Sequence, residues 1–175
     1  EYERKGAQFI NDIELPIDKN KRILGLFSEG PLPAANDGRK PTTTEMARLA
    51  IDHLDGNSNG FFVMIEESQV DWGGHANNAE YIKGEMESLN ELINFVLDYQ
   101  NSHPDVLVVL TADHECGGVA VHDGKDSDLD IHFTSNYHSA NFVPIWSTGP
   151  GSEIFDSFMD NTEIGKRLIS YITDK

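Results

Sequence analysis

The run Phe61-Phe62-Val63-Met64-Ile65 is apolar at every position. A strand of that composition must be covered on both faces, as in a parallel sheet flanked by helices rather than in a half-wet antiparallel one. Its end breaks directly into Glu66-Glu67-Ser68-Gln69-Val70-Asp71-Trp72-Gly73-Gly74-His75. A second apolar run, Val106 to Leu110, ends the same way in Thr111-Ala112-Asp113-His114, and His138 precedes a third, Phe142 to Trp146. Between the first two runs, Ile82, Met86, Leu89, Ile93 and Val96 recur at spacings of four and three, which predicts an amphipathic helix over residues 76–100. Strand, helix and strand make a βαβ unit with parallel strands and a right-handed crossover. The ligand crevice of such a sheet lies beyond the carboxyl ends of its strands, where both polar clusters fall. The expected fold is α/β, built on a doubly wound sheet.

The 175 residues are one domain's worth of chain, read as a single domain over 1–175, with no apolar stretch near the ~20 residues that span a bilayer. Thirty acidic against thirteen basic residues give a net charge of -17, which repels nucleic acid and anionic lipid and attracts cations. Neither nucleic acid nor membrane is expected as a partner, and most of the carboxylates need be no more than a solubility device. Cys116 is the sole cysteine, so no intrachain disulfide forms. The chain opens at Glu1 without an initiator methionine or a signal segment, so processing or truncation is expected.

Residues 1–22 read as a connecting segment, and Ile23 to Phe27 as a short strand before the extended Gly30-Pro31-Leu32-Pro33. Thr42 and Glu45 fit a capping box, followed by a helix with Met46, Leu49, Ala50 and Leu54 on one face as far as Gly56. Residues 115–137 read as a solvated surface excursion whose acidic stretch, Asp123 to Asp130, lacks EF-hand spacing. Pro144 makes the strand over Phe142 to Trp146 an edge or bulged one. Ile164, Leu168 and Ile172 mark a closing helix capped by Asp160 or Asn161.

If the chain turns helical after Ile65, Asp71 and His75 share a face, and a carboxylate oxygen and an imidazole nitrogen can reach one ion; zinc accepts that pairing. The same spacing also makes a plain surface ion pair. Asp113-His114 at a strand end is costly to bury unless a cation or a hydrogen-bonded turn satisfies it. His138 alone would be an ordinary loop histidine, and His53, His103, His122 and His132 read as surface residues.

Taken together, Gly60-Phe61-Phe62 leading to Glu66, then Asp71 and His75, then Thr111-Ala112-Asp113-His114, then His138 with Val143-Pro144 and Gly149-Pro150-Gly151, resemble the carboxyl-terminal half of the alkaline phosphatase family, in its bacterial zinc-dependent branch. The resemblance covers residues 23–173. It implies a three-layer, largely parallel sheet, present here only in its carboxyl-terminal part. It makes Asp71, His75 and His138 ligands of a first zinc, Asp113 and His114 ligands of a second, and Glu66 a magnesium ligand. Trp72 would line the phosphate pocket, with simple packing as the alternative. Cys116-Gly117-Gly118 would shape a loop, since no partner activates the thiol as a nucleophile.

In that family a serine attacks a phosphate monoester, and two metals stabilise the attacking and leaving oxygens of the in-line transfer. The nucleophilic serine and a phosphate-binding arginine belong to the family's amino-terminal half, and neither is found here. Asp126-Ser127 and Asp156-Ser157 do not follow a strand. The aspartate shared by the second zinc and the magnesium, and the magnesium-binding hydroxyl residue, are also missing. Glu67 stands where the family usually has glycine, which could perturb the magnesium site. The resemblance thus implies a phosphomonoesterase parent, periplasmic or secreted, and an inactive isolated chain that self-associates through an exposed sheet edge or forms a homo-oligomer. The alternatives are a phosphomutase, a sulfatase, or a non-catalytic metal-binding module.

Overall fold

Thr42 opens the first helix, α1 (Thr43–Leu54), through the reciprocal bonds its sequence predicts. Its hydroxyl accepts from the Glu45 amide at 3.1 Å, while Glu45 Oε2 accepts from the Thr42 amide at 2.7 Å. Ala47 and Ile51, four residues apart, turn inward on this helix and are almost fully buried. The computed structural model describes residues 6–125 and 128–173, which divide into two compact units, 6–70 with 80–92, and 71–79 with 93–125 and 128–173.

In the first unit, β1 (Gln8–Ile10) pairs in parallel with β2 (Ile23–Gly25), so the segment read as connecting carries a strand. Gln8 holds the intervening loop from both ends of its amide, donating to the Pro16 carbonyl at 2.7 Å and accepting from the Asp18 amide at 2.8 Å. Ile10, Ala47, Ile51 and Leu92 form the apolar part of this unit's interior. Beside them lies Arg39, 5% exposed, whose guanidinium donates to Glu67 Oε1 at 2.5 Å, to Glu85 Oε2, to Thr43 Oγ1 and to the Pro33 carbonyl. Glu85 is fully buried and takes a further bond from the Ala35 amide at 2.8 Å. Burial works against the Arg39 charge, but the bonds to Glu85 and Glu67 outweigh it and hold its pKa above the ordinary value.

The apolar run Phe61–Ile65 does not form the expected sheet strand. It is extended and alternates between half-buried and exposed positions, with Phe62 and Met64 facing out, but among the described residues it enters none of the sheets. The βαβ unit is therefore not formed. The second run supplies β3 (Val108–Thr111), which pairs antiparallel with β8 (Ile145–Thr148), Val108 opposite Thr148 and Thr111 opposite Ile145. An apolar run specifies burial but not which neighbour completes its ladder. Pro144, having no N–H to give, sets the start of β8 at the next residue. The mixed α/β character holds. In place of one parallel sheet, however, the described residues form four two-stranded sheets, three of them antiparallel.

Helix α2 (Gln69–His75) is short, and the predicted amphipathic helix is α3 (Ala79–Ser102). The stretch expected as a surface excursion contains β4 (Glu115–Cys116) and the hairpin β5 (Ala120–Asp123) with β6 (Leu129–His132). Strand β7 (His138–Ser139) returns antiparallel to β4. In the second unit Phe155 is the buried apolar anchor, on a 3-10 turn over Ser152–Phe155. Asp160 caps the last helix, α4 (Asn161–Thr173), accepting from both the amide and the hydroxyl of Thr162. Asp156-Ser157 follows the 3-10 turn, and Asp126-Ser127 lies outside the described residues. Among the described residues, no helix is long and apolar enough to cross a membrane.

Candidate metal centre

The second unit gathers donors from three separate pieces of chain. Helix α2 places Asp71 and His75 one turn apart, with His75 Nε2 3.4 Å from Asp71 Oδ2. Strand β7 brings His138 Nε2 to 3.3 Å from Asp71 Oδ1 and 3.2 Å from His75 Nε2. Donors bonded to one tetrahedral zinc at about 2.0–2.1 Å stand roughly 3.3–3.4 Å from one another. The separation between the two histidine nitrogens is close to such an edge, and each histidine stands at a similar distance from a different oxygen of Asp71.

The tautomer that His75 adopts when neutral is fixed by its other nitrogen. Nδ1 lies 2.8 Å from the Asn136 carbonyl, which can only accept, so Nδ1 carries the proton and neutral His75 turns the lone pair of Nε2 toward His138 and Asp71. Two imidazole nitrogens and a carboxylate facing one point repel unless a proton or a cation stands between them. Asp71 Oδ1 and His114 Nδ1 are buried and have no hydrogen-bond partner. Orphaned atoms of this kind are costly. The donor set, its spacing and its unsatisfied atoms all fit a borderline divalent cation such as zinc.

The other predicted residues are placed more loosely. His114 stacks on His138 with ring centroids 3.6 Å apart, its Nδ1 4.0 Å from Asp71 Oδ1 and its Nε2 3.4 Å from Asp113 Oδ2. Asp113 is largely exposed. Trp72, on α2, is also exposed. Glu66 is exposed in the extended segment ahead of α2, whereas Glu67 turns inward to Arg39 and accepts from Ser88 Oγ at 3.1 Å. The Glu67 carboxylate is thus committed to a buried ion pair of the first unit.

Cys116 joins the cluster, although its sequence context suggests only a loop. Donor atoms of Asp71, His75, Cys116 and His138 all lie within 4.8 Å of one another. The β4 and β7 register sets Cys116 directly opposite His138. Gly74 lets α2 approach β4, for a Cβ there would stand 2.9 Å from the Cys116 carbonyl oxygen. Burial, and then the facing Asp71 carboxylate, push the free thiol up to about 11. Below this floor, Glu115 accepts from Ser139 Oγ and from the Val119 amide, which locks the two short strands together.

A sequence model of the alkaline phosphatase family matches residues 1–129. Alkaline phosphatase 3 of Bacillus subtilis is 30% identical over all of this chain and 36% of its own length, and the alkaline phosphatase of Gadus morhua is 29% identical over 91% of this chain and 35% of its own. Among solved structures, alkaline phosphatase from the Antarctic bacterium TAB5 superposes with a TM-score of 0.85 at 29% identity, over 99% of this chain and 54% of that one. A variant of the TAB5 enzyme, with Mg bound in its M3 site, gives a TM-score of 0.80 at 31% identity, over 95% of this chain and 53% of that one. The chain therefore spans about a third of the length of these curated relatives and about half that of these solved structures.

Proposed function

The chain belongs to the alkaline phosphatase family, and from that premise we propose that it is the carboxyl-terminal, metal-holding portion of an enzyme that hydrolyses phosphate monoesters. The observation that carries this reading is the convergence of Asp71, His75 and His138 at separations of 3.2–3.4 Å. Zinc bound there supplies charge neutralisation at phosphoryl oxygens and stabilises the attacking and leaving oxygens. The chain's own residues do the holding. Asp71 brings the negative charge, Asn136 fixes the tautomer of His75, and His138 closes the set from β7.

In the same proposal, Asp113 and His114 serve a second zinc and Glu66 a magnesium ion, while Trp72 borders the substrate phosphate. The phosphomutase and sulfatase alternatives gain nothing from the family match. Because the chain carries no counterpart of the family's nucleophilic serine or phosphate-binding arginine, it is proposed to be inactive by itself. A periplasmic or secreted setting belongs to the same proposal.

Metal analysis and calorimetry on the purified chain, beside His138→Ala, test the reading. One tightly bound zinc that the variant loses supports it. Zinc binding indifferent to His138 overturns the ligand set, and turnover of an aryl phosphate by the chain, free of contaminating phosphatase, overturns the inactivity.

A further inference from the structure

We propose that Tyr137 is a positioning residue of the candidate zinc centre, its ring holding the imidazoles of His75 and His138 so that their Nε2 atoms converge on one ion. The inference rests on the preceding reading of Asp71, His75 and His138 as the ligand set and adds a residue that is not itself a ligand. The Tyr137 ring stacks on that of His138 with centroids 4.8 Å apart and planes inclined by 24°, and it meets His75 edge-on at 5.6 Å and 63°. These are the offset and edge-on arrangements that aromatic pairs prefer. His114 stacks on the same His138 imidazole at 3.6 Å and 23°. Two flat rings from separate stretches of chain therefore fix the plane of His138, and one of them also reaches His75.

The backbone of Tyr137 is anchored without help from its side chain. Its amide donates to Ser135 Oγ at 2.9 Å, and its carbonyl accepts from the Gly117 amide at 3.1 Å. Three consecutive residues thus act on the ligand set in different ways. The Asn136 carbonyl faces His75 Nδ1 and fixes which nitrogen is free, Tyr137 fixes ring planes, and His138 supplies a donor. An imidazole delivers its lone pair in the plane of its ring, so a ring free to rotate must be ordered when the ion arrives, whereas one held in advance binds without that cost. With Tyr137 in place, Nε2 of each histidine stays turned toward Asp71 and toward the other. Tyr137 adds no fourth protein ligand, so the ion keeps a position for a phosphoryl oxygen, as three-ligand zinc sites do. The side chain is 66% exposed, and packing of the interior gives no account of it.

Because the ring is exposed and the backbone bonds do not depend on it, Tyr137→Phe and Tyr137→Leu should both fold. Calorimetry with zinc alone should give Tyr137→Phe the affinity of the unmutated chain and Tyr137→Leu an affinity about tenfold weaker, the lower end of what losing a group that orients a metal ligand costs. Proton NMR of the metal-free chain reads the geometry itself. A ring stacked on His138 displaces that imidazole's carbon-bound protons upfield. The His138 resonances, assigned as those lost in His138→Ala, should move downfield in Tyr137→Leu and stay in place in Tyr137→Phe, a distinction that a merely structural role would not produce. Equal zinc affinity in all three chains, an equal loss in both variants, or His138 resonances indifferent to Tyr137→Leu overturns the role of Tyr137 and leaves the three-residue set standing. No zinc binding, or binding that His138→Ala does not weaken, overturns both.

Discussion

At the scale of single residues, Gly74 decides how closely the two halves of the candidate centre approach. A methyl group there would meet the Cys116 carbonyl oxygen at 2.9 Å and the Cys116 Cβ at 3.0 Å. The first of these is backbone, which cannot rotate away. Alanine is otherwise the better helix former by about 0.5–1 kcal/mol, but overpacking typically costs about 1–3 kcal/mol, so the clash wins. Gly74→Ala should therefore lower stability and weaken zinc binding together. Gly165, in α4, has nothing within 4 Å of its added Cβ, and Gly165→Ala should instead stabilise by about 0.5–1 kcal/mol without changing zinc affinity. Denaturant titrations and zinc calorimetry on both variants check this. A Gly74→Ala chain as stable and as zinc-avid as the original would mean that α2 and β4 are not held at this spacing.

At the scale of elements, local signals were readable and pairings were not. The capping box of α1, the one-turn spacing of Asp71 and His75 on α2 and the helical stretch of α3 all depend on residues within a few positions of one another, and the structure contains each. The face that α3 buries is a different matter: Met86, on the expected apolar stripe, is exposed, while Gly84, Glu85 and Leu92 are buried, because distant partners such as Arg39 set that face. The sheet depends on partners far along the chain. Nothing in Phe61–Ile65 names a neighbour, and β4 and β7 are two residues long, too short for any periodicity to register. From sequence Cys116 reads as a loop residue for that reason, because only the β4 and β7 register reveals what it faces. The Arg39, Glu67 and Glu85 network was equally invisible, since its members come from three separated stretches of sequence. The α1 cap also has a predictable pH dependence. The Lys40 ammonium, 2.8 Å away, and then the Thr42 amide hold the Glu45 carboxyl below its ordinary value of 4.5. A carboxyl lowered in the folded state contributes stability above that ordinary value and loses it as pH falls through the folded one. Thr42→Ala should cost about 1 kcal/mol at neutral pH. The smaller deficit of Glu45→Ala should shrink on acidification below the usual glutamate range. Parallel denaturation at neutral and acid pH tests both, and a Glu45→Ala deficit that grows in acid would contradict the cap's electrostatics.

At the scale of the whole molecule, two tendencies oppose each other. The net charge of -17 keeps copies apart. Against it stand large apolar side chains left in water. The most exposed are Phe142 at 88% and Phe158 at 89%, whose rings lie 5.4 Å apart and form one aromatic patch. Burying such a ring is worth about 1.5–3 kcal/mol, so two from each copy give roughly 6–12 kcal/mol. That is comparable with the ~4–15 kcal/mol lost when two molecules become one. The expected outcome is weak, concentration-dependent self-association rather than a permanent dimer. Salt should strengthen it, because screening removes the repulsion between acidic surfaces and leaves the apolar contribution intact. Sedimentation velocity over a concentration and salt series measures this, with the double variant Phe142→Ser and Phe158→Ser shifting the distribution toward monomer. If association weakens as salt is added, charge pairing rather than the aromatic patch holds the copies together. If the chain stays monomeric throughout, the patch is too small to overcome the repulsion.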